Sequence, residues 1–305
     1  MAKCRIWAEP AVEATVPGLG ARLPAIVPAS TVVGSLSAYW CRRYDLPAAR
    51  IVVWTGDNPS SLIGTGLVEE GRVAVSLGTS DTIFGLMRTA RIDTRGVGHV
   101  FGAPTGDVMG LTVFSNGSLA REQVRDAYGL DWPGFSAALG TTTPGNGGGL
   151  MLPWFVPEIT PRVLRPGVRR FELDPLDAAR NVRAVVEGQM MAMANHSRWM
   201  GVTIQTIQAT GGAAANRAIL QVMADVFGAD VSPSRVGNSA CLGAALRAWH
   251  GDTKARGETL PWSEIVRGFA PDPSTRVSPT AAHTRVYARL RERYARLEQR
   301  ALESA

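Results

Sequence analysis

Three short segments, each placed at the end of an apolar run, constrain this chain more than any other feature. They are Thr55-Gly56-Asp57-Asn58-Pro59, Ser76 to Asp81, and Ala209 to Arg217. Each segment puts glycine, hydroxyl, amide or carboxylate groups directly after a predicted strand, which is where ligands bind at the carboxyl edge of an α/β sheet. The elements begin as short strands and continue as alternating helices and strands. This order predicts an α/β domain with a mixed sheet flanked by helices.

The composition is that of a soluble globular protein with one large or two ordinary domains. The chain has 305 residues, of which 45% are hydrophobic and 19% are charged. No apolar run reaches the roughly 18 residues that a membrane span needs, and the first residues lack the apolar stretch of a signal peptide. We therefore expect a cytoplasmic protein without a membrane partner. The three cysteines, Cys4, Cys41 and Cys241, fit neither a disulfide framework nor a metal site, so no metal ligands are predicted.

The net charge of +6 comes from arginine, because Lys3 and Lys254 are the only lysines. The arginines are scattered rather than clustered, which argues against nucleic-acid binding. Neither lysine lies in a Gly-Lys-Ser/Thr loop, and no His-Arg-Asp loop is present. A nucleotide, if it binds, must therefore be held by backbone amides and hydroxyl groups.

Asp57 follows a predicted strand, Arg50 to Trp54, and precedes a predicted helix. A carboxylate in this place could accept the proton of a sugar hydroxyl that attacks a γ-phosphoryl group. Asn58 could bind the same sugar through its amide. The alternative is that Asp57 is only the N-cap of a helix that begins at Pro59.

Gly78-Thr79-Ser80 forms the second candidate site, between two apolar runs. A glycine lets backbone amides approach phosphate oxygens, and the two hydroxyls add further donors. The alternative is an ordinary hairpin turn. Asp81, which follows, could hold Mg²⁺ through water or simply fix the turn.

Gly211 and Gly212 form the third candidate site, together with Asn216. Two glycines after a strand permit a turn with positive φ and a close approach to an adenosine, and the next helix points its N-terminus towards a phosphate. A tight strand-to-helix connection is the alternative. Two further candidates stay open: Asn116-Gly117-Ser118 could line the same cleft or cap a helix, and Trp132 could stack on adenine or lie in the core.

Periodicity predicts most of the individual elements. A helix of small residues is expected over Ser239 to His250, packed closely on the nucleotide turn, and an amphipathic helix over Thr31 to Tyr44. The remaining predicted strands are 73–77, 82–87, 99–103, 108–114 and 206–210, and the remaining predicted helices are 119–128, 132–139, 177–200, 216–227 and 284–303.

The motifs together resemble a known family. The order Gly-Asp-Asn-Pro, Ser-Leu-Gly-Thr-Ser, Asn-Gly-Ser, Ile-Thr-Pro and Thr-Gly-Gly-Ala followed by Asn resembles that of the FGGY carbohydrate kinases. Within that family the chain is most similar to the eukaryotic-type branch of the xylulokinases, from about residue 24 to the C-terminus. The resemblance implies an actin-like ATPase (ribonuclease H-like) fold and phosphorylation of D-xylulose by ATP with Mg²⁺.

The resemblance also implies roles for individual residues. Asp57 would be the catalytic base, and Asp57 and Asn58 would bind the sugar. The remaining implied contacts are to ATP, with the transferred phosphoryl group near the first three residues: Gly78, Thr79, Ser80, Trp132, Gly211, Gly212 and Asn216.

One departure from the family pattern concerns the amino-terminal half. Family members are far longer and begin with an Asp-x-Gly-Ser/Thr loop, whereas the first aspartate here is Asp45. We therefore interpret residues 1–70 as the C-terminal remnant of the sugar-binding N-terminal domain and 71–305 as the nucleotide-binding domain. The expectation is weak nucleotide binding and little turnover without an N-terminal half, which could be separately encoded or lost. A kinase for ribulose, gluconate or glycerol and a non-catalytic nucleotide-binding module are the alternatives.

Overall fold

The amino-terminal part packs a small two-stranded sheet on a helix from the carboxyl-terminal part of the chain. The computed structural model describes residues 6–304. Its first elements are α1 (Glu9–Thr15), β1 (Val32–Ser35), α2 (Ala38–Tyr44), β2 (Arg50–Val52) and α3 (Asp57–Gly64). The predicted helix over residues 31–44 is wrong in its first part, because Val32 to Ser35 pair antiparallel with β2 instead.

The rest of the chain supplies the main sheet and its helices. Its elements are β3 (Arg72–Leu77), β4 (Asp81–Met87), β5 (Gly98–Gly102), β6 (Val108–Phe114), α4 (Ser118–Ala127), α5 (Trp132–Thr141), β7 (Leu150–Leu152), β8 (Arg169–Phe171), α6 (Ala178–His196), β9 (Thr206–Thr210), α7 (Arg217–Phe227), β10 (Asp230–Pro233), α8 (Ser239–Ala255), α9 (Trp262–Ile265) and α10 (Ala281–Glu303). The five strands predicted in this region are confirmed within a residue at each end.

The six-stranded sheet is mixed, as predicted, with the strand order β10-β9-β3-β4-β6-β5. β3, β9 and β10 are parallel, whereas β4, β5 and β6 join them as antiparallel neighbours. The carboxyl ends of the parallel strands β3 and β9 therefore meet at one edge, where a ligand site is expected.

The two faces of the sheet pack on different sets of helices. Val73, Val75 and Leu77 point to a large core that also contains side chains of α4, α5, α6, α7 and α10. Ala74 points to the opposite face and joins a smaller cluster with Leu62 of α3. This alternation follows from the period of two along a strand. Among residues 6–304, none of the helices is long and apolar enough to cross a membrane.

The small residues of α8 serve a helix–helix contact. A Cβ on Gly243 would overlap the carbonyl oxygen of Ser60, and a Cβ on Gly64 would overlap that of Ser239. The backbones of α3 and α8 therefore touch directly. The prediction that these residues pack on the nucleotide turn is wrong, since their close contact is with α3.

Candidate functional site

A cleft of about 790 Å³ opens where β3 and β9 end. It brings together five of the seven residues for which the resemblance implies a contact to ATP, namely Gly78, Thr79, Trp132, Gly212 and Asn216, and it also reaches the candidate Ser118. The turn after β3 forms one wall and the segment after β9 forms another, with α5 opposite. The remaining lining residues are Leu77, Ser118, Arg121, Glu122, Pro133, Ser136, Ala213, Ala215, Arg217, Ala218 and Ile219.

The turn at residues 78–80 lies against the backbone of the segment that enters α4. The N–H of Ser118 donates to the carbonyl oxygen of Gly78 at 2.7 Å. A Cβ on Gly117 would lie 2.6 Å from the carbonyl oxygen of Thr79, so only glycine permits this approach. Residues 115–118 therefore pack directly against the backbone of the turn.

Asp81 is held by a buried ion pair. Arg121 binds it through two hydrogen bonds, Nη1 to Oδ2 at 2.9 Å and Nη2 to Oδ1 at 3.1 Å. Burial raises the pKa of the Asp81 carboxyl, and the charge of Arg121 opposes that rise. Because both carboxylate oxygens are engaged, the structure favours the role of fixing the turn over that of a magnesium ligand.

Asn216 is the N-cap of α7. Its Oδ1 accepts from the N–H groups of Ala218 (3.0 Å) and Ile219 (3.3 Å), and its Nδ2 donates to Oγ of Ser136 at 2.7 Å. This one side chain therefore caps the first turn of α7 and joins α7 to α5.

Trp132 presents an aromatic surface to the cleft. It is the first residue of α5, whose N-cap is Asp131, and it is 42% exposed. The guanidinium of Arg125 lies 4.5 Å from its ring centroid, and Phe135 meets it edge-on. The open alternative of a core tryptophan is excluded by this exposure.

Four other predicted residues lie away from the cleft lining. Gly211 faces a second groove, beside Ser234 and Arg235, on the other side of the same turn. Asp57 and Asn58 begin α3, and neither lines the cleft. Ser80 is exposed and is likewise absent from the lining.

Asp57 is not the cap of its helix. Gly56 is the N-cap of α3, and Asp57 already has helical geometry as its first residue. Its Oδ1 accepts from the N–H of Asn58 at 2.8 Å, and the side chain is exposed. The capping alternative therefore fails, and a carboxylate oxygen remains open to solvent.

Sequence reasoning missed the buried polar residues beneath the cleft. Arg121, Glu158 and Gln189 are all buried. Arg121 donates directly to Gln189, and both Gln189 and Glu158 bind the backbone of Asn116. A signal existed for Gln189, because the apolar run Met190 to Ala194 follows it directly in the same predicted helix. A polar residue there must find partners inside the protein.

No cluster of metal ligands accompanies the cleft. In the part of the chain that the structure describes, residues 6–304, no group of three or more His, Cys, Asp or Glu side chains could hold a metal ion.

Comparison with known proteins identifies relatives of the whole chain. The sequence profile for the FGGY family of carbohydrate kinases, C-terminal domain, matches residues 73–251. A xylulose kinase of Rattus norvegicus is 43% identical over 99% of this chain, which spans 57% of that relative. The chain thus covers little more than half of the length of this curated relative.

Solved structures show the same fold at lower sequence identity. A ligand-bound xylulose kinase from Lactobacillus acidophilus superimposes with a TM-score of 0.86 at 18% identity, over 100% of this chain and 62% of that one. A gluconate kinase from the same organism gives 0.84 at 18% identity, over 96% and 60%. The predicted actin-like fold of this family is confirmed, and the fold alone does not select the sugar.

Proposed function

The chain belongs to the FGGY family of carbohydrate kinases, and from that premise we propose that it is the nucleotide-binding part of an ATP-dependent xylulose kinase. The reaction would transfer the γ-phosphoryl group of ATP to a hydroxyl of D-xylulose, which gives ADP and D-xylulose 5-phosphate. The observation that carries the proposal is the meeting of Gly78, Thr79, Trp132, Gly212 and Asn216 in one cleft. These residues come from three separate parts of the sequence.

The cleft suits an adenine nucleotide at both ends. Trp132 offers a ring face on which a base can stack, which is worth about 1–3 kcal/mol per base in stacking sites. Gly78 and Thr79 offer backbone N–H groups and a hydroxyl to phosphate oxygens. Gly212 has no atom within 4 Å of where its Cβ would lie, so the backbone there is open to a ligand.

Asp57 is proposed as the base that accepts the proton of the sugar hydroxyl. Residues 65–71 connect the end of α3 to the start of β3, and α3 packs on the sheet through Leu62. A helix connected in this way runs back along the strand, which directs its N-terminus towards the end of β3 and the turn at 78–80. Asn58, the next residue, is proposed to bind the same sugar.

Magnesium is proposed to arrive with ATP rather than to occupy a site made by this chain. The carboxylate of Asp81, next to the phosphate turn, is already neutralised by Arg121. Mg²⁺ commonly keeps several waters and binds through substrate phosphates, so the phosphates themselves can supply its ligands.

We propose that an N-terminal half completes the sugar pocket, because the chain spans only 57% of the Rattus norvegicus xylulose kinase. We propose that residues 1–70 belong to that sugar-binding domain and that 71–305 form the nucleotide-binding domain. Apolar side chains between residues 33 and 54 stay exposed, which supports an interface there. They are Val33, Tyr39, Trp40, Tyr44, Leu46, Ile51 and Trp54. Since ATP and sugars meet in the cytoplasm, we place the protein there.

The experiment measures nucleotide binding and turnover separately. Calorimetry with Mg·ADP is run on the chain, and ADP release is measured with ATP, Mg²⁺ and D-xylulose. Both are repeated after co-expression with the N-terminal half of the Rattus norvegicus xylulose kinase, the part outside the match. D-ribulose, gluconate and glycerol test the alternative sugars.

We expect Mg·ADP to bind to the chain alone and D-xylulose-dependent ADP release only with the added half. Asp57→Asn should abolish that release, whereas Asp272→Asn, the same change of charge at the N-cap of the 3₁₀ turn Pro273–Thr275, should not. A folded chain that binds no Mg·ADP would refute the nucleotide site. Binding without turnover in the reconstituted pair would favour a non-catalytic module.

A further inference from the structure

The turn proposed to bind phosphate is held in place by the loop that leads into α4. Residues 115–118, here called the support loop, join β6 to α4. The N–H of Ser118 donates to the carbonyl oxygen of Gly78, and Gly117 touches the carbonyl of Thr79. A shift of the support loop would therefore shift the backbone of the turn.

Glu158 fixes one end of the support loop through a set of N–H donors. Oε1 accepts from the N–H of Ser115 at 2.6 Å, and Oε2 accepts from the N–H of Asn116 at 3.1 Å and from its Nδ2 at 2.8 Å. Oε1 also accepts from the N–H groups of Ile159 (2.8 Å) and Thr160 (3.3 Å). A buried carboxylate with five donors is stabilised without a cation and is rigidly placed.

Gln189 fixes the other end and connects it to the ion pair. Its Nε2 donates to the carbonyl oxygens of Asn116 (2.6 Å) and Gly117 (2.8 Å). Its Oε1 accepts from Nη1 of Arg121 at 2.9 Å, the same guanidinium that binds Asp81. The Gln189 side chain is buried, and both its amide nitrogen and its amide oxygen form hydrogen bonds in this network.

We infer that Gln189 and Glu158 are positioning residues for the phosphate turn at 78–80. Neither lines the cleft, and both act on the turn through the support loop and, for Gln189, through Arg121. Hydrogen bonds therefore form a continuous chain from Asp81, through Arg121 and Gln189, to the carbonyl oxygen of Gly117. The inference deepens the proposed function, because it assumes that the turn receives a nucleotide phosphate.

The chain offers a closely matched control for Gln189. Asn181, on the same helix, is a buried amide that donates to two carbonyls, Asp174 (2.7 Å) and Asp177 (2.8 Å). Its Oδ1 also accepts from an arginine, Nε of Arg170, at 2.7 Å. Gln189→Met and Asn181→Leu therefore remove equivalent hydrogen bonds with little change in volume, but only the first touches the support loop.

The two variants are compared by amide hydrogen exchange of the full chain without nucleotide. Peptides covering 77–81 and 115–118 should exchange about tenfold faster in Gln189→Met, since the loss of one or two buried hydrogen bonds has about that effect on local opening. Asn181→Leu should leave these peptides unchanged. Equal exchange in the two variants would overturn the inference.

Binding of Mg·ADP supplies a readout that a purely structural role would not move. Gln189→Met should raise the Kd about tenfold at temperatures where both variants remain folded, and Asn181→Leu should stay within about twofold. If the wild-type chain binds no Mg·ADP, the proposed function fails, while the exchange comparison still decides the positioning role.

Glu158→Gln provides the second variant should Gln189→Met fail to fold. It keeps the shape of the side chain but places an NH₂ group against N–H donors of Ser115 or Asn116. The same two peptides should then exchange faster than in Asn181→Leu, and unchanged exchange would refute the role of Glu158.

Discussion

Gly211 and Gly212 are neighbours in the sequence, but a side chain would have opposite effects at the two positions. Gly211 has φ of +87° and its Cβ would overlap the carbonyl oxygen of Leu77. Gly211→Ala should therefore lower the free energy of unfolding by about 2–4 kcal/mol, through backbone strain and overpacking. Urea denaturation followed by circular dichroism measures this loss.

Gly212→Ala is the matched control for that prediction. No atom lies within 4 Å of its Cβ, so the free energy of unfolding should change by no more than about 0.5 kcal/mol. The added methyl group projects from a residue that lines the cleft, and the Kd for Mg·ADP should rise. Equal destabilisation by both substitutions would contradict this account of the turn.

Trp132 should contribute to nucleotide binding rather than to stability. Trp132→Ala removes a stacking surface, and we expect the Kd for Mg·ADP to rise about 5- to 100-fold, which corresponds to roughly 1–3 kcal/mol. The unfolding midpoint should barely move. Trp249→Ala, which removes a tryptophan of similar exposure (46%) from α8, should change neither quantity.

The sequence predicts which residues form turns at the site better than it predicts which way those residues face. The motifs around Gly78 and Gly212 indicate turns, and those turns do line one cleft. Whether a given residue faces that cleft depends on backbone direction, and Gly211 faces the opposite groove. The hydrogen bond from Asn216 to Ser136 likewise depends on α5 and α7 being neighbours, which a local pattern does not specify.

At the scale of elements, the contact of α3 with α8 depends on two glycines. Gly243→Ala should lower the free energy of unfolding by about 1–3 kcal/mol, because the helices must separate to admit the Cβ. Gly140→Ala, in α5, is the opposite case, because no atom lies within 4 Å of its Cβ. Alanine there should raise stability by about 0.5–1 kcal/mol. Thermal unfolding of both variants tests the difference in sign.

Glu187 joins α6 to α10 and should make stability depend on pH. Its Oε1 accepts from the N–H of Gly145, from the hydroxyl of Tyr287 and from Arg183. Burial raises the pKa of the Glu187 carboxyl above its ordinary value. The folded chain thus binds the proton more tightly than the unfolded chain does.

The contribution of Glu187 to stability is therefore full below a pH of about 4.3 and is lost as the pH rises through the raised pKa. Glu187→Gln removes this dependence, so the stability of the wild type relative to the variant should fall between pH 5 and pH 8. Guanidinium denaturation at both pH values measures the two free energies of unfolding. A difference between wild type and variant that stays constant with pH would contradict the assignment.

Five of the six strands of the main sheet were predictable because each is a short, largely apolar run bounded by turn residues, which is a local signal. The failure at residues 31–44 has a different cause. Val32 and Val33 fit a helical apolar stripe as well as a strand, and the choice is made by pairing with β2, which is distant in the sequence. The short strands β7, β8 and β10 carry too few residues to show a period.

At the scale of the whole molecule, the apolar side chains exposed between residues 33 and 54 are left uncovered by the rest of residues 6–304. Trp54 is 78% exposed and Trp40 is 45% exposed. Surface of this kind usually marks an interaction site or promotes association. We therefore expect the isolated chain to self-associate as its concentration rises.

The prediction is tested by replacing two of these residues together. Trp40→Gln with Trp54→Gln should shift the sedimentation profile towards monomer, because the largest apolar side chains of the surface are lost. Trp249→Gln, on α8, should leave the profile as it is in the wild type. If the N-terminal half of a xylulose kinase covers this surface, as proposed, its co-expression should also yield a 1:1 complex in place of the self-associated species. If self-association persists in both the double variant and the complex, a different surface must mediate it.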